Sequence, residues 1–179
     1  MLFLNRDEGV APTEGAQPVI QPSGVGTTAS SRVKTAMASP HGKNLRKGRF
    51  SAPNHTYLIT TVTQNRLPVF EDFYKARLLI DTLKTERNAQ TLAFVVMPDH
   101  LHWLMTLGPQ SHLPKVVQGI KSISSRKIGK PIWQAGYHDH ALRQETELKA
   151  TARYIIANPL RAGLVERIGD YPHWDAVWL

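Results

Sequence analysis

The stretch from Thr91 to Leu107 reads TLAFVVMPDHLHWLMTL and predicts the centre of the fold. Its first part, Thr91 to Met97, is a short apolar run of the kind found in buried strands. Pro98-Asp99 is a turn signal. His100 to Leu107 has the residue types of a second strand, so the whole stretch predicts a β-hairpin.

Within this hairpin, the alternation of side chains predicts a pair of histidines on one sheet face. Successive side chains of a strand point to opposite faces, so His100 and His102 share a face while Leu101 and Trp103 point into the core. Two neighbouring imidazoles are well placed to share a metal ion. The alternative is a pair of partly exposed histidines that are hydrogen-bonded to their neighbours.

Periodic patterns on either side of the hairpin predict the remaining elements. They are a strand over Tyr57–Thr63, a helix over Glu71–Arg87, a helix over Leu113–Ile128, a strand over Tyr137–Arg143 and a helix over Glu145–Ala157. The first six elements follow the split βαβ, ferredoxin-like plan, an α+β fold in which helices cover one face of an antiparallel sheet. The other face is left for a ligand or for the last helix.

The helix over Leu113–Ile128 is amphipathic and basic. We expect its apolar side chains to point inward, namely Val116, Val117, Ile120 and Ile123. We expect its basic side chains on the exposed side, namely Lys121, Arg126 and Lys127. These cations are candidates for contact with DNA phosphates, and a solvated surface is the alternative.

Composition separates a tail from a basic domain. Residues 9–40 are poor in large apolar side chains, and residues 41–49 form a basic run. We therefore predict a disordered, partly basic tail over residues 1–48 and place the folded domain at 49–179. The net charge is +8, and residues 41–179 hold 19 basic against 11 acidic groups. A compact basic domain attracts a polyanion such as nucleic acid.

Other features of composition exclude several classes of protein. Without cysteine the chain can form neither disulfides nor thiolate metal sites. The longest strictly apolar run has six residues, Leu92 to Met97, which is far too short for a membrane span. We therefore expect a cytoplasmic protein with no membrane partner.

The segment Tyr154 to Pro159, YIIANP, is the second feature with chemical meaning. On a helix Tyr154 and Asn158 lie one turn apart on the same side. A tyrosine can be a covalent nucleophile, a metal can activate the attacked phosphate, and an amide oxygen is a plausible metal ligand. The alternative is a tyrosine packed by its ring, with Asn158 capping the helix before proline.

The two features together predict metal-assisted transesterification by a tyrosine. The chain then resembles the REP-associated tyrosine transposases, single-tyrosine transposases that carry the His-hydrophobic-His (HUH) motif. The resemblance runs from about Arg49 to Trp174. It is carried by VMPDHLH at 96–102, IWQ at 132–134, HDHALR at 138–143 and YIIANPLRAGLV at 154–165.

This resemblance implies roles for individual residues. His100, His102 and Asn158 would bind a divalent ion, Mg²⁺ or Mn²⁺. Tyr154 would attack a DNA phosphate, form a 5′-phosphotyrosine link and release a 3′-hydroxyl, and reversal would rejoin the strand. The substrate implied is single-stranded DNA with hairpins, often repeated extragenic palindromes. Both a homodimer and a monomer remain open.

Three further residues in the shared segments are candidates for DNA contact. Trp133 would stack on an unpaired base, with core packing as the alternative. His140 and Arg143 lie at the end of the predicted fourth strand, where Arg143 either contacts DNA, orients a site group or forms a structural salt bridge. His138 is an uncommitted candidate for an extra metal ligand.

Two other functions compete with the transposase. The first is a module that binds hairpin DNA or RNA on the same fold without cutting it. The second is a histidine-triad phosphohydrolase, which needs a third histidine two residues after His102. Leu104 occupies that position and argues against the triad.

Overall fold

The computed structural model describes residues 52–178. The predicted tail over residues 1–48 therefore lies outside the described residues. Within residues 52–178, no helix has both the length and the apolar character needed to cross a membrane.

The described chain follows the predicted order of elements. They are β1 (Thr56–Val62), α1 (Phe73–Lys84), β2 (Ala89–Met97), β3 (His100–Leu107), α2 (Leu113–Ile128), β4 (His138–Leu142), α3 (Glu145–Ile156), α4 (Asn158–Arg161) and β5 (Trp174–Ala176). The bounds of β3 and α2 coincide with the predicted ones. The other predicted elements differ from the observed ones by a few residues at their ends.

The strands form one antiparallel sheet in the order β4-β1-β3-β2-β5. The first four strands have the order of a split βαβ, ferredoxin-like fold, which confirms the predicted α+β class. Strand β5 was not predicted because three residues are too few to show a periodic pattern. It pairs with β2 and extends the sheet at that edge.

One face of the sheet is covered by α1 and α2, as predicted. Burial along β1 alternates from residue to residue, so every second side chain points to this face. The core here is built from strand side chains such as Ile59, Leu101, Trp103 and Met105, and from helix side chains such as Leu79, Ile80, Leu83, Val117 and Ile120.

The other face is covered by the last long helix, α3. Its buried side chains pack on residues of β2 and β3 in a second core, formed by Leu92, Val95, Met97, Leu104, Ala152, Ile155 and Ile156 among others. His100 and His102 have the same parity along β3 as Leu104, so they lie on this face. The histidine pair and the tyrosine helix are therefore on the same side of the sheet.

Helix α2 ends where the chain needs a left-handed residue. Gly129 has φ of 88°, and its N–H bonds to the carbonyls of Ser125 and Arg126. A glycine adopts this conformation without the strain that a Cβ would cause. The segment after it then turns back, so that Gln134 donates its N–H to Val62 O at the end of β1 over 2.9 Å.

Two expectations for α2 were wrong. Ile123 was expected inward, but its side chain is 38% exposed. Lys121 was expected outward, but it is buried, and its Nζ donates to Gln134 O at 2.6 Å and to Gly136 O at 2.8 Å. Lys121 lies on the buried side of α2 together with Val117 and Ile120. The two carbonyl oxygens accept hydrogen bonds from its ammonium, which offsets the cost of burying the charge.

The helix that carries the tyrosine is interrupted. Helix α3 ends at Ile156, Ala157 has ψ of 0°, and the short α4 begins at Asn158. Pro159 explains the break because it lacks the N–H that would bond to the carbonyl of Ile155. Tyr154 and Asn158 therefore lie at the two sides of a helix junction rather than on one continuous helix.

Candidate metal and tyrosine site

His100 and His102 form a close pair on β3. Their ring centroids are 4.8 Å apart and the ring planes are nearly perpendicular. Both side chains are half-buried, and the face they share is the one predicted from the alternation along the strand.

Each ring has one nitrogen engaged by a neighbour. His100 Nδ1 lies 2.5 Å from Asp99 Oδ1, and His102 Nδ1 lies 2.9 Å from Thr60 Oγ1. In the tautomers in which Nδ1–H donates, both Nε2 atoms are lone-pair donors. Hydrogen bonds of this kind fix the tautomer and the ring orientation of metal-binding histidines.

Asp99 is itself held in place from two directions. Arg66 Nη1 donates to Asp99 Oδ2 over 2.9 Å, and the Thr63 N–H donates to the Asp99 carbonyl over 2.9 Å. Burial opposes ionisation of the Asp99 carboxyl, but hydrogen bonds from His100 and Arg66 keep its pKa below the usual value. The carboxylate therefore stays charged and can accept from His100. Sequence reasoning missed both Asp99 and Thr60 as supporting residues.

The environment of His102 favours its neutral form. Burial, then the positive charges of His100 and Arg161, lower the pKa of His102 from 6.5 to about 4. A neutral imidazole is the form that binds a metal ion.

Tyr154 lies at the carboxyl end of α3 with its side chain 61% exposed. The guanidinium of Arg161 stacks on its ring, with Cζ 4.1 Å from the ring centroid. Arg161 Nη2 also donates to the Tyr154 carbonyl over 2.6 Å and to Asn158 Oδ1. Arg161 therefore joins the two residues that the helix junction separates.

Arg161 belongs to the short helix α4, which follows the tyrosine helix α3. Helix α4 packs against β2, the strand next to β3, and Arg161 acts on the charge of His102. Arg161 lies in the shared segment after Asn158, but the sequence analysis predicted no role for it. Its position three residues after Asn158 was the available signal, since such residues share a helical face.

The donor atoms of these residues suit a divalent ion whose remaining ligands are supplied by solvent or substrate. Within residues 52–178, no group of three His, Cys, Asp or Glu side chains is arranged to hold a metal. The protein's donors would be the two imidazoles and the Asn158 amide. The amide would bind through Oδ1, which accepts a hydrogen bond from Arg161 and has a second lone pair, whereas the buried Nδ2 has no hydrogen-bond partner in the protein.

The other predicted DNA-contact residues lie elsewhere. Arg126 and Lys127 are exposed on α2, across the sheet from the histidine pair. Trp133 is half-buried against the first core, 5.4 Å from the Phe70 ring, and its Nε1 donates to Ser124 Oγ. This is the core packing that was the alternative to base stacking for Trp133. It leaves the ring poorly placed to stack on a base.

His140 and Arg143 are exposed and line a pocket of about 570 Å³ between β4 and the start of α3. His138 lies opposite Thr60, which in turn lies opposite His102, so all three share a row on one sheet face. Two strand spacings, roughly 10 Å between the backbones, separate His138 from His102, and His138 stays an uncommitted candidate for an extra ligand.

Comparisons with known proteins match this chain to one family and to one fold. A sequence model of the family described as "Transposase IS200 like" matches residues 51–158. The REP-associated tyrosine transposase of Escherichia coli K12 is 27% identical over 128 residues, which cover 69% of this chain and 78% of that protein. A solved structure of a REP-associated tyrosine transposase bound to a REP hairpin has a TM-score of 0.62 and 27% identity. It matches over 70% of this chain and 79% of its own length.

Fold and matches together define the class as a transposase with a ferredoxin-like sheet. The chain belongs to the IS200-like transposase family, whose model spans more than half of it. The resemblance to the REP-associated tyrosine transposases is confirmed by the two relatives.

Proposed function

We propose that this transposase nicks and rejoins single-stranded hairpin DNA through a covalent bond to Tyr154, with a divalent metal ion at the site. The observation that carries the proposal is the arrangement around Arg161. One guanidinium contacts the Tyr154 ring and the Asn158 amide, and the short helix α4 that carries it packs against β2, next to the histidine strand. This arrangement supports a single site for the predicted nucleophile and the predicted ligands on one side of the sheet.

The reaction needs an oxygen nucleophile that can reach a phosphate. The Tyr154 side chain is largely exposed at the carboxyl end of α3, so DNA can approach it. Its Oη would form a bond to phosphorus while the bond from phosphorus to the 3′ oxygen breaks. The phenol proton ends on the departing 3′ oxygen, directly or through water, and attack by a 3′-hydroxyl reverses the step.

A bound divalent ion supplies Lewis-acid polarisation of the scissile phosphate. His100 and His102 would hold it through Nε2, because Asp99 and Thr60 occupy the Nδ1 atoms. Asn158 would contribute its amide oxygen, which can accept from Arg161 and still offer a second lone pair. Two imidazoles favour Mn²⁺ over Mg²⁺, since Mg²⁺ prefers an all-oxygen site.

DNA as the substrate is supported by charge and by a relative. Residues 41–179 carry the whole net charge of +8, which favours a polyanion. The related structure at TM-score 0.62 is of a protein bound to a REP hairpin. We therefore assign hairpin DNA as the substrate class and the DNA-containing cytoplasm as the place of the reaction.

The competing function is a hairpin-binding module that does not cut. The contact that favours it is the hydrogen bond from Arg161 to Asn158 Oδ1, because it engages the oxygen that the metal would need. In that case the histidine pair would be a structural hydrogen-bonded cluster with Asp99 and Thr60.

A cleavage assay separates the two functions. The protein is incubated with labelled single-stranded hairpins and Mn²⁺, and the products are run on a denaturing gel that retains a covalent protein–DNA adduct. We expect an adduct with the native chain and none with Tyr154→Phe, which removes one oxygen and should leave DNA affinity unchanged. Tyr74→Phe is the matched control, since Tyr74 is also exposed but lies on α1, across the sheet.

Excess chelator should abolish the adduct and leave hairpin binding intact. Cleavage that persists in Tyr154→Phe would rule out the tyrosine mechanism. Tight binding with no adduct across a broad set of hairpins would establish the binding module instead.

A further inference from the structure

The side chain of Tyr154 is held by a single neighbour in the described part of the chain. Its ring is largely exposed, and its one ring or hydrogen-bond contact there is the Arg161 guanidinium at 4.1 Å from the centroid. Stacking of a planar cation on a ring limits rotation of both side chains. Without Arg161 the tyrosine would sample several rotamers in solvent.

Arg161 also fixes the backbone under that ring. Its Nη2 donates to the Tyr154 carbonyl, one of the carbonyls freed where α3 ends before Pro159. The same nitrogen lies against Asn158 Oδ1 on the other side of the junction. One guanidinium therefore fixes the orientation of the ring, the carbonyl and the amide relative to each other.

We infer that Arg161 is a positioning residue that holds the Tyr154 ring and the Asn158 amide in one arrangement on the sheet face of the histidine pair. The inference rests on the proposed function, in which these two groups are nucleophile and ligand. The inference adds Arg161 to the site as a residue that acts through Tyr154 and Asn158. Small displacements of a nucleophile slow a reaction strongly, and a misplacement of about 1 Å can reduce the rate about 100-fold.

The chemistry of arginine makes the inference specific. Lysine would keep the positive charge and could donate to two acceptors, but its ammonium has no plane that can stack on the Tyr154 ring. A general electrostatic role predicts that Arg161→Lys behaves like the native chain. A positioning role predicts that Arg161→Lys is impaired almost as much as Arg161→Ala, and that free guanidinium partly restores Arg161→Ala.

The first measurement is made without metal or DNA. The chain is labelled with 3-fluorotyrosine, and the Tyr154 signal among the five tyrosines is assigned with Tyr154→Phe. We expect Arg161→Ala to shift and sharpen the ¹⁹F signal of Tyr154, and guanidinium to move it back. Arg153→Ala is the control, because Arg153 is an exposed arginine next to Tyr154 whose side chain borders a different pocket, with Lys149 and Trp178.

The second measurement is single-turnover adduct formation with Mn²⁺, alongside hairpin affinity. We expect Arg161→Ala and Arg161→Lys to slow adduct formation roughly 10- to 100-fold while affinity changes by less than about threefold. Arg153→Ala should keep the native rate. Circular dichroism confirms that each variant is folded, and guanidinium rescue excludes a loss caused by misfolding.

The outcomes separate the inference from the proposed function. If the native chain forms no adduct, the proposed function fails, whatever the ¹⁹F spectra show. If the native chain forms the adduct and Arg161→Ala forms it equally fast, the inference is overturned. A loss of hairpin affinity that accounts for the whole effect would also overturn it, since Arg161 would then be a DNA contact.

Discussion

Thr60 and His102 face each other across β1 and β3, and their side chains are joined by a 2.9 Å hydrogen bond between Oγ1 and Nδ1. The neighbouring His100 is held in the same way by Asp99, the residue before it. Both rings of the pair are therefore oriented before any ligand arrives. Orientation of this kind lowers the entropy that the site loses on binding a metal.

We predict that Thr60→Val weakens metal binding. Valine keeps the shape and the strand preference of threonine but removes the hydroxyl that fixes the His102 ring. Loss of such an outer hydrogen bond typically lowers metal affinity by roughly 10- to 100-fold. Titration with Mn²⁺ followed by electron paramagnetic resonance measures the change.

Thr56→Val is the matched control for this prediction. Thr56 lies on the same strand and face, and its Oγ1 bonds to Thr106 Oγ1 over 2.9 Å, away from the histidines. It should retain native Mn²⁺ affinity. Equal losses in both variants would mean that the effect comes from the sheet and not from the orientation of His102.

We predict that His102 makes the metal-free protein less stable in weak acid. Its pKa in the folded chain is about 4, against 6.5 in the unfolded chain, because of burial and then the charges of His100 and Arg161. Between these values the unfolded chain binds more protons, so the free energy of unfolding falls as the pH is lowered from 6.5 to 4. The full loss corresponds to about 3 kcal/mol.

Urea unfolding in excess chelator at a series of pH values tests this linkage. His173 also has a lowered pKa, through burial and then Arg77, and contributes in the same direction. The comparison is therefore between the native chain and His102→Gln, whose unfolding free energy should fall less between pH 6.5 and 4. Parallel pH dependences in the two proteins would show that His102 titrates normally in the folded state.

We predict that Lys121 stabilises the fold and that Lys127 does not. Lys121→Met removes the ammonium that donates to the carbonyls of Gln134 and Gly136. Leaving these acceptors unsatisfied should lower the free energy of unfolding by roughly 1–3 kcal/mol. Lys127→Met, at an exposed position on the same helix, should change it by less than about 0.5 kcal/mol.

Denaturant unfolding of both variants measures their free energies of unfolding. Hairpin binding at several salt concentrations then measures whether either lysine contacts a phosphate. A phosphate contact by Lys127 would reduce the salt slope of binding by about one unit when it is replaced. Lys121→Met should leave that slope unchanged, because its charge is already used inside the fold. If Lys121→Met reduced the salt slope of binding and kept the native stability, Lys121 would be the phosphate contact that the sequence predicted.

Local patterns were enough to predict the framework of this protein. The alternation in HLHW placed His100 and His102 on one face, because the period of a strand is independent of the rest of the chain. The turn signal at Pro98-Asp99 predicted the hairpin, and the apolar periodicity of residues 113–128 predicted the helix that follows it. The resemblance in four segments then led to the transposase family, which the comparisons confirm.

Tertiary structure decided what each polar side chain contacts. Lys121 was expected in solvent because charge usually marks an exposed face, but a segment that folds back after Gly129 offers it two carbonyls. Arg161 contacts Tyr154 and Asn158 across the helix junction at Pro159. Periodicity is a property of neighbours along the chain, whereas these contacts arise between segments that only packing brings together. The sequence therefore determined which sheet face carries the histidine pair, and the fold determined which residues contact it.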